Sequence, residues 1–207
     1  MKASPEQSDE ELWRLSVAGE ADAFTALYRR RQAGIYRFAL QMCGSAAIAE
    51  DVTQEVFMTL VRESQMFDPA RGTLSGYLYG IARNQVLRRL EKERPFVALG
   101  DEGEDESAIR SEHFVAGHDP LAELSRHELI DSVRQAVLAL PAHYREVVVL
   151  CELHEMSYAE AAATLDCAVG TVRSRLHRAR ALLVERLREV QQSDAHPAPA
   201  DPLRCFA

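Results

Sequence analysis

Residues 157–180 read Ser157-Tyr-Ala-Glu160-Ala-Ala-Ala-Thr-Leu-Asp166-Cys167-Ala168-Val-Gly-Thr171-Val172-Arg173-Ser174-Arg175-Leu176-His177-Arg178-Ala179-Arg180, two helical segments around a tight break. Ser157 and Glu160 form the Ser-x-x-Glu spacing of a capping box, in which each side chain satisfies a backbone N–H of the other residue. Asp166-Cys167-Ala168 is the break, and a longer helix follows. In that helix Val172, Leu176, Ala179, Leu183 and Leu187 recur every three or four residues, so they share one buried stripe. Thr171, Arg173, Ser174, Arg175, His177, Arg178 and Arg180 then project from the remaining surface near the helix start. This is the arrangement of a DNA-reading helix-turn-helix, whose second helix enters a major groove by its N-terminal part. Arginine grips a guanine edge with two hydrogen bonds or holds a phosphate, and Ser and Thr bond either.

Working outward, the chain of 207 residues accommodates one large or two small domains, and two small ones fit the pattern best. No apolar run approaches the roughly eighteen residues of a membrane span, and Met1 to Asp9 lacks the apolar core of a secretory signal. A cytoplasmic protein without membrane insertion is expected. Cys43, Cys151, Cys167 and Cys205 form no Cys-x-x-Cys pair, which argues against a disulfide framework or a zinc knuckle. Cys151 and His154 make a Cys-x-x-His without two further ligands at suitable spacing, so no metal and no cofactor are expected.

The net charge of −8 speaks against a nucleic-acid partner only until its distribution is read. Residues 96–135 hold ten acids against three arginines, which accounts for nearly the whole imbalance. Residues 171–190 hold six arginines against Glu185 and Glu189, as a local DNA-facing patch requires.

The rest of the chain is helical in pattern. Ser8-Asp9-Glu10-Glu11 repeats the capping-box spacing before Leu12, Trp13 and Leu15, with a stop at Gly19. From Ala21 to Met42, Phe24, Leu27, Tyr28, Ile35 and Phe38 keep helical spacing around the cluster Arg29-Arg30-Arg31, and Gly44 ends the run. Ile48, Val52, Val56 and Leu60 repeat every four residues between Ala46 and Ser64. Phe67-Asp68-Pro69-Ala70-Arg71-Gly72-Thr73 is rich in turn formers, after which Leu74, Tyr77, Leu78 and Ile81 restart the periodicity to about Lys92. Residues 97–120 have the acidic, glycine-containing composition of an unfolded linker. Leu121 to Leu140 is helical again, and Tyr144, Val147, Val148 and Cys151 keep helical spacing despite the β-branched run Val147-Val148-Val149. The predicted class is all-α: a leading helix in 1–20, a helical domain in 21–95, an acidic flexible linker in 96–120, a helix-turn-helix domain in 121–190 and a disordered Pro- and Ala-rich tail in 191–207.

Two separated segments, taken together, resemble the extracytoplasmic-function class of bacterial RNA polymerase sigma factors. The first carries Ala49-Glu50-Asp51-Val52-Thr53-Gln54-Glu55-Val56-Phe57, the Phe67–Thr73 loop and Tyr77-Leu78-Tyr79-Gly80-Ile81-Ala82-Arg83-Asn84. The second carries Leu140-Pro141-Ala142-His143-Tyr144-Arg145-Glu146-Val147 and the helix-turn-helix. The resemblance implies a non-enzymatic specificity subunit that binds core RNA polymerase, recognises the minus-thirty-five promoter element as duplex and captures the minus-ten element as an opened strand. It implies regulation by an anti-sigma factor in many members.

Helical spacing alone places Asp51, Gln54, Glu55, Met58 and Arg62 on one face, offset from the apolar stripe. By spacing this is either a solvated acidic face or a partner surface; the resemblance implies that Asp51, Gln54, Glu55 and Met58 meet core polymerase. For the opened minus-ten strand it implies Arg71, Tyr77, Tyr79, Arg83, Asn84 and Arg88, with a base pocket beside the Phe67–Thr73 loop, since melted DNA needs stacking surfaces as well as charge. The spacing of Tyr77 with Leu74 and Ile81 equally fits a core position. One departure is visible: the family commonly has an aromatic-x-x-Trp where this chain has Leu74-Ser75-Gly76-Tyr77. A stand-alone DNA-binding regulator would use the same recognition helix, Thr171 to Arg178, without polymerase. An enzyme is disfavoured, because the seven histidines form no motif with a nucleophile or paired carboxylates and no phosphate-binding glycine loop occurs.

Overall fold

Side-chain caps open several of the helices, although the capping box read at Ser8 and Glu11 forms only its first half. The Ser8 hydroxyl accepts from the Glu11 N–H to open α1 (Asp9–Val17), and the Ser45 hydroxyl accepts from the Ile48 N–H to open α3 (Ala46–Arg62). Between them α2 (Ala21–Cys43) ends on Gly44 in the left-handed conformation, φ +73°. α4 (Leu74–Glu93) follows the Phe67–Thr73 loop. The second half contains α5 (Pro120–Leu138), α6 (Ala142–Val148), a π-helical turn (Val149–Leu153), α7 (Tyr158–Thr164) and α8 (Val169–Asp194). These facts come from a computed structural model that describes residues 7–93 and 120–194; no strand occurs among them.

α1 to α4 form a bundle in which α2 touches each of the other three. Leu12, Leu27, Ile35, Phe38, Met42, Val52, Val56, Leu60, Leu74, Leu78 and Val86 are fully buried in its centre. The C-terminal group wraps α8 with α5, α6 and α7 around Leu140, Val147, Val149, Leu150, Ala161, Val172, Leu176 and Ala179. The spacing of Val172, Leu176 and Ala179 on α8 thus becomes a seam, while Leu183 and Leu187 are only partly covered.

The two groups touch. α2 meets α5, α6 and the π-helical turn, and α4 meets α7. Gly44 serves this contact twice: its backbone conformation suits glycine, and a Cβ there would stand 3.0 Å from Cδ1 of Leu138. Arg145 stitches the same corner, donating to the carbonyl oxygens of Met42 at 2.5 Å, Leu140 at 3.0 Å and Leu138. Those carbonyls lie at the C-terminal ends of α2 and α5, where helical partners run out and a cation is favoured.

Three expectations change or go unaddressed. The run Val147-Val148-Val149 is helical as predicted, but its continuation to Leu153 widens into a π turn. α8 runs on to Asp194, four residues into the predicted tail, and Pro120 begins α5 rather than ending the linker. Pro95, the last residue of the predicted first domain, the acidic run from Asp101 to Asp119, His113, His118, His196 and Cys205 lie outside the described residues.

Candidate nucleic-acid and polymerase interfaces

On α7 the capping box forms as read: the Ser157 hydroxyl accepts from the Glu160 N–H at 3.2 Å, and the Glu160 carboxylate accepts from the Ser157 N–H at 3.0 Å. The Ser157 hydroxyl, which also donates to that carboxylate at 2.6 Å, and then the Ser157 N–H hold the Glu160 carboxyl below its ordinary range. The chain turns through Asp166 at φ +51°, a left-handed position that Asp tolerates better than most residues. α8 leaves this turn with Val172, Leu176 and Ala179 facing inward. Arg173, Ser174, His177 and Arg178 are exposed, and Thr171 and Arg175 are half-buried beside them. Ser174 donates to the Thr171 carbonyl at 3.0 Å, and the Arg173 guanidinium stands 5.9 Å from the Tyr158 ring, within cation–π range. Arg180 is tethered to Glu152 of the π turn at 2.5 Å, so it braces α8 rather than extending the free row.

The α3 face also assembles as read. Asp51, Gln54 and Met58 are exposed, while Glu55 is half-buried and ion-paired to Arg62 two turns on. Val61, exposed, adds a second apolar group near Met58. A surface mixing Asp51 and Gln54 with bare Met58 and Val61 is better suited to a protein partner than to DNA, whose phosphates repel carboxylates.

The minus-ten candidates divide. Arg71, Asn84 and Arg88 are exposed. Tyr77 is half-buried against Phe67, ring centroids 5.6 Å apart, and its hydroxyl titrates higher than usual because burial disfavours the phenolate. Between α1 and the loop opens a cleft of about 550 Å³ lined by Glu10, Glu11, Trp13, Arg14, Val17, Phe67 and Pro69. Tyr79 and Arg83 are turned away from solvent toward the C-terminal group. Tyr79 is only 8 % exposed, edge-on to Phe38, with its hydroxyl 3.0 Å from Nδ1 of His154 and directly over Gly34. His154 Nε2 lies 2.9 Å from Oε1 of Gln41. Because Oε1 only accepts, the ring proton sits on Nε2 and Nδ1 accepts from Tyr79. Burial, and secondarily the Arg37 charge, lower the His154 pKa to about 4, which matches a neutral ring. Arg83 donates from Nε at 2.8 Å and from Nη2 at 3.3 Å to the two oxygens of Glu146, a fork on a carboxylate that is 2 % exposed.

Sequence reading missed this cluster. His154 had drawn notice only as half of a Cys-x-x-His, yet both of its ring nitrogens are taken by Tyr79 and Gln41. Glu146 carried the one usable signal, an acid directly ahead of the apolar run Val147-Val148-Val149; a buried carboxylate demands a partner.

Residues 27–96 match the family described as Sigma-70 region 2, and residues 130–183 match Sigma-70, region 4. The chain is 33% identical over 174 residues to the ECF RNA polymerase sigma factor SigW of Bacillus subtilis (strain 168), spanning 83% of this chain and 92% of that one. It is 35% identical over 188 residues to the ECF RNA polymerase sigma-E factor of Escherichia coli (strain K12), spanning 86% and 93%. Among solved structures it resembles the sigma factor RpoE of Bartonella quintana, crystallised with the anti-sigma factor NepR, with a TM-score of 0.59 at 25% identity over 80% of this chain and 96% of that one. A helix-turn-helix group behind a four-helix bundle, with both regions in family order, defines a transcription initiation factor: the chain belongs to the extracytoplasmic-function class of RNA polymerase sigma factors. Its work is promoter-specific initiation of transcription through RNA polymerase. No helix among the described residues is long and apolar enough to cross a membrane.

Proposed function

We propose that the protein reads the minus-thirty-five element as duplex through α8 and captures the minus-ten element as an opened strand through α4 and the loop before it, while α3 docks on core RNA polymerase. The observation that carries the reading is the row Arg173, Ser174, His177 and Arg178, exposed at the start of a helix whose opposite side is locked into the core by Val172, Leu176 and Ala179. Thr171 and Arg175 flank that row within reach of a groove wall. Asp51, Gln54, Glu55 and Met58 form the polymerase face, and Arg71, Tyr77, Tyr79, Arg83, Asn84 and Arg88 form the strand-capturing set. The helical groups then divide the labour, residues 21–95 serving the opened strand and the enzyme, and residues 121–190 the duplex. Contacts available only to unpaired bases shift the duplex–open equilibrium, so the subunit needs no catalytic group of its own and acts in the cytoplasm beside the enzyme it directs. An anti-sigma factor is a natural third partner, since the similar Bartonella protein was crystallised with one.

The test is an anisotropy titration of promoter and scrambled DNA with the protein alone, core polymerase alone and the two mixed, at constant salt because phosphate contacts make affinity salt-dependent. Specific binding far stronger in the mixture than with either component is expected. If the free protein discriminates the two DNAs as strongly as the mixture does, it is a stand-alone regulator.

A further inference from the structure

Arg173, His177 and Arg180 recur at helical spacing and form one row along the flank of α8. Tyr158, the first residue of α7, borders that row. The capping box of Ser157 and Glu160 closes around the Tyr158 backbone and fixes where its side chain starts. The side chain is 37% exposed and reaches across to α8, where the Arg173 guanidinium lies over its ring, 5.9 Å from the centroid. Two turns along the same row, Arg180 is held by the Glu152 carboxylate at 2.5 Å, and the Tyr158 hydroxyl stands beside it as a further acceptor. The π turn, α7 and α8 thus meet in one surface chain that runs from Glu152 through Arg180 and Tyr158 to Arg173. Tyr158 is engaged at both ends, by its ring and by its hydroxyl.

We propose that Tyr158 is a positioning residue for promoter recognition: its ring carries the Arg173 guanidinium and presents it to DNA, while Arg180, anchored on Glu152, steadies that ring through its hydroxyl. The proposal rests on the reading of Arg173 as a DNA contact given above. Its warrant is that support and recognition use different parts of one guanidinium. The ring attracts the cation through its π face, and the five N–H donors are more than that contact occupies, so donors remain for a guanine edge or a phosphate. A long side chain that is loose in solution gives up rotamer freedom when it grips DNA, and a prepositioned one gives up less. The Glu152 carboxylate contributes at one remove: by satisfying Arg180 it gives the Tyr158 hydroxyl a fixed neighbour instead of a mobile one. Tyr158 acts through Arg173 and makes no DNA contact of its own, although the first helix of a helix-turn-helix crosses the DNA backbone.

The experiment is a double-mutant cycle in the full chain bound to core polymerase, with Tyr158→Leu, Arg173→Ala and the two combined, read by anisotropy on promoter and scrambled DNA at constant salt. Tyr158→Leu keeps apolar bulk and removes the ring, so promoter binding should weaken by about two- to fivefold, the range of an exposed cation–π contact. In the Arg173→Ala background the same change should cost nothing further, because residues that act through one shared contact are not additive. Tyr158→Phe keeps the ring and should restore most of the binding that Tyr158→Leu loses. Any loss of stability caused by Tyr158→Leu is common to both backgrounds and cancels in the comparison, so the coupling is readable even where that variant melts lower. Equal losses from Tyr158→Leu in the two backgrounds overturn the positioning role and make Tyr158 a DNA contact in its own right, with Arg173 still a reader. Tyr158→Phe as weak as Tyr158→Leu also overturns it, since the hydroxyl and not the ring is then the working group. Arg173→Ala that binds promoter DNA like the wild type removes the reading of Arg173 itself, and the positioning role falls with it.

Discussion

Leu176 and Arg178 are two residues apart on α8 and should fail in opposite ways. Leu176 is 1% exposed between Val172 and Ala179, so Leu176→Ala empties a closed site and combines lost transfer energy with a cavity, about 3 kcal/mol within the usual 2–5 kcal/mol range. For a chain of this size that corresponds to a melting temperature lower by roughly 6–12 °C. Arg178 is exposed, and exposed substitutions stay within about 0.5 kcal/mol, so Arg178→Ala should melt within about 2 °C of the wild type. Its loss should appear in DNA binding. A base contact is worth about 1–3 kcal/mol of discrimination, roughly 5- to 150-fold, whereas a phosphate contact lowers the slope of log affinity against log salt by about 0.9. Circular-dichroism melts and salt-series anisotropy with the polymerase complex separate these cases. Arg178→Ala that binds with unchanged affinity and salt slope, or Leu176→Ala that melts like wild type, refutes the division of α8 into a reading face and a core face.

Glu55→Arg removes an exposed ion pair with Arg62 worth well under about 1 kcal/mol, so the variant should fold normally yet fail to retain core polymerase in a pull-down; normal retention returns the α3 face to solvent. Gly44→Ala forces a left-handed alanine, roughly 1–2 kcal/mol, and brings a Cβ to 3.0 Å from Leu138, so thermal melts should show a drop of about 2–8 °C; no drop means the α2–α5 corner is slack. His154 titrates at about 4 in the folded protein against 6.5 ordinarily, so the unfolded chain takes up its proton first and stability falls as pH drops from 6.5 to 4. Denaturant titrations of His154→Gln should show a flatter pH dependence across that window, and an identical slope would show that His154 is not the group responsible.

The helices were legible because their ends are chemically marked. Ser8, Gly44 and Ser157 each satisfy or redirect the backbone where the structure begins or ends an element, whereas the Ser45 cap of α3 went unread. Periodicity also separated the two sides of α8 and gathered Asp51, Gln54 and Glu55 on one face of α3. It could not say what lies over a face. Tyr79 and Arg83 share a helical side with Gly76 and Gly80, and only the tertiary approach of α7 and the π turn decides that this side is covered. The end of α8 was misjudged for a related reason: Gln191-Gln192-Ser193-Asp194 contains no breaker, and the first proline is Pro197, so composition suggested a tail where the helix still had nothing to stop it.

The π turn at Val149–Leu153 bears on which length changes this chain can tolerate. Its wider ring holds one residue more than an α-helical turn would, and the surplus is taken up just ahead of His154 and Glu155, the latter at φ +54°. In an α-helix one residue advances the surface by about 100°. Deleting a single residue between Val149 and Leu153 would let the turn relax to regular α geometry and rotate His154 out of register with Tyr79 and Gln41. It would also re-aim α7 and α8, although every residue of those two helices remained in place. Exposed side chains on α8 can therefore be exchanged far more freely than one residue can be gained or lost between Val149 and Leu153.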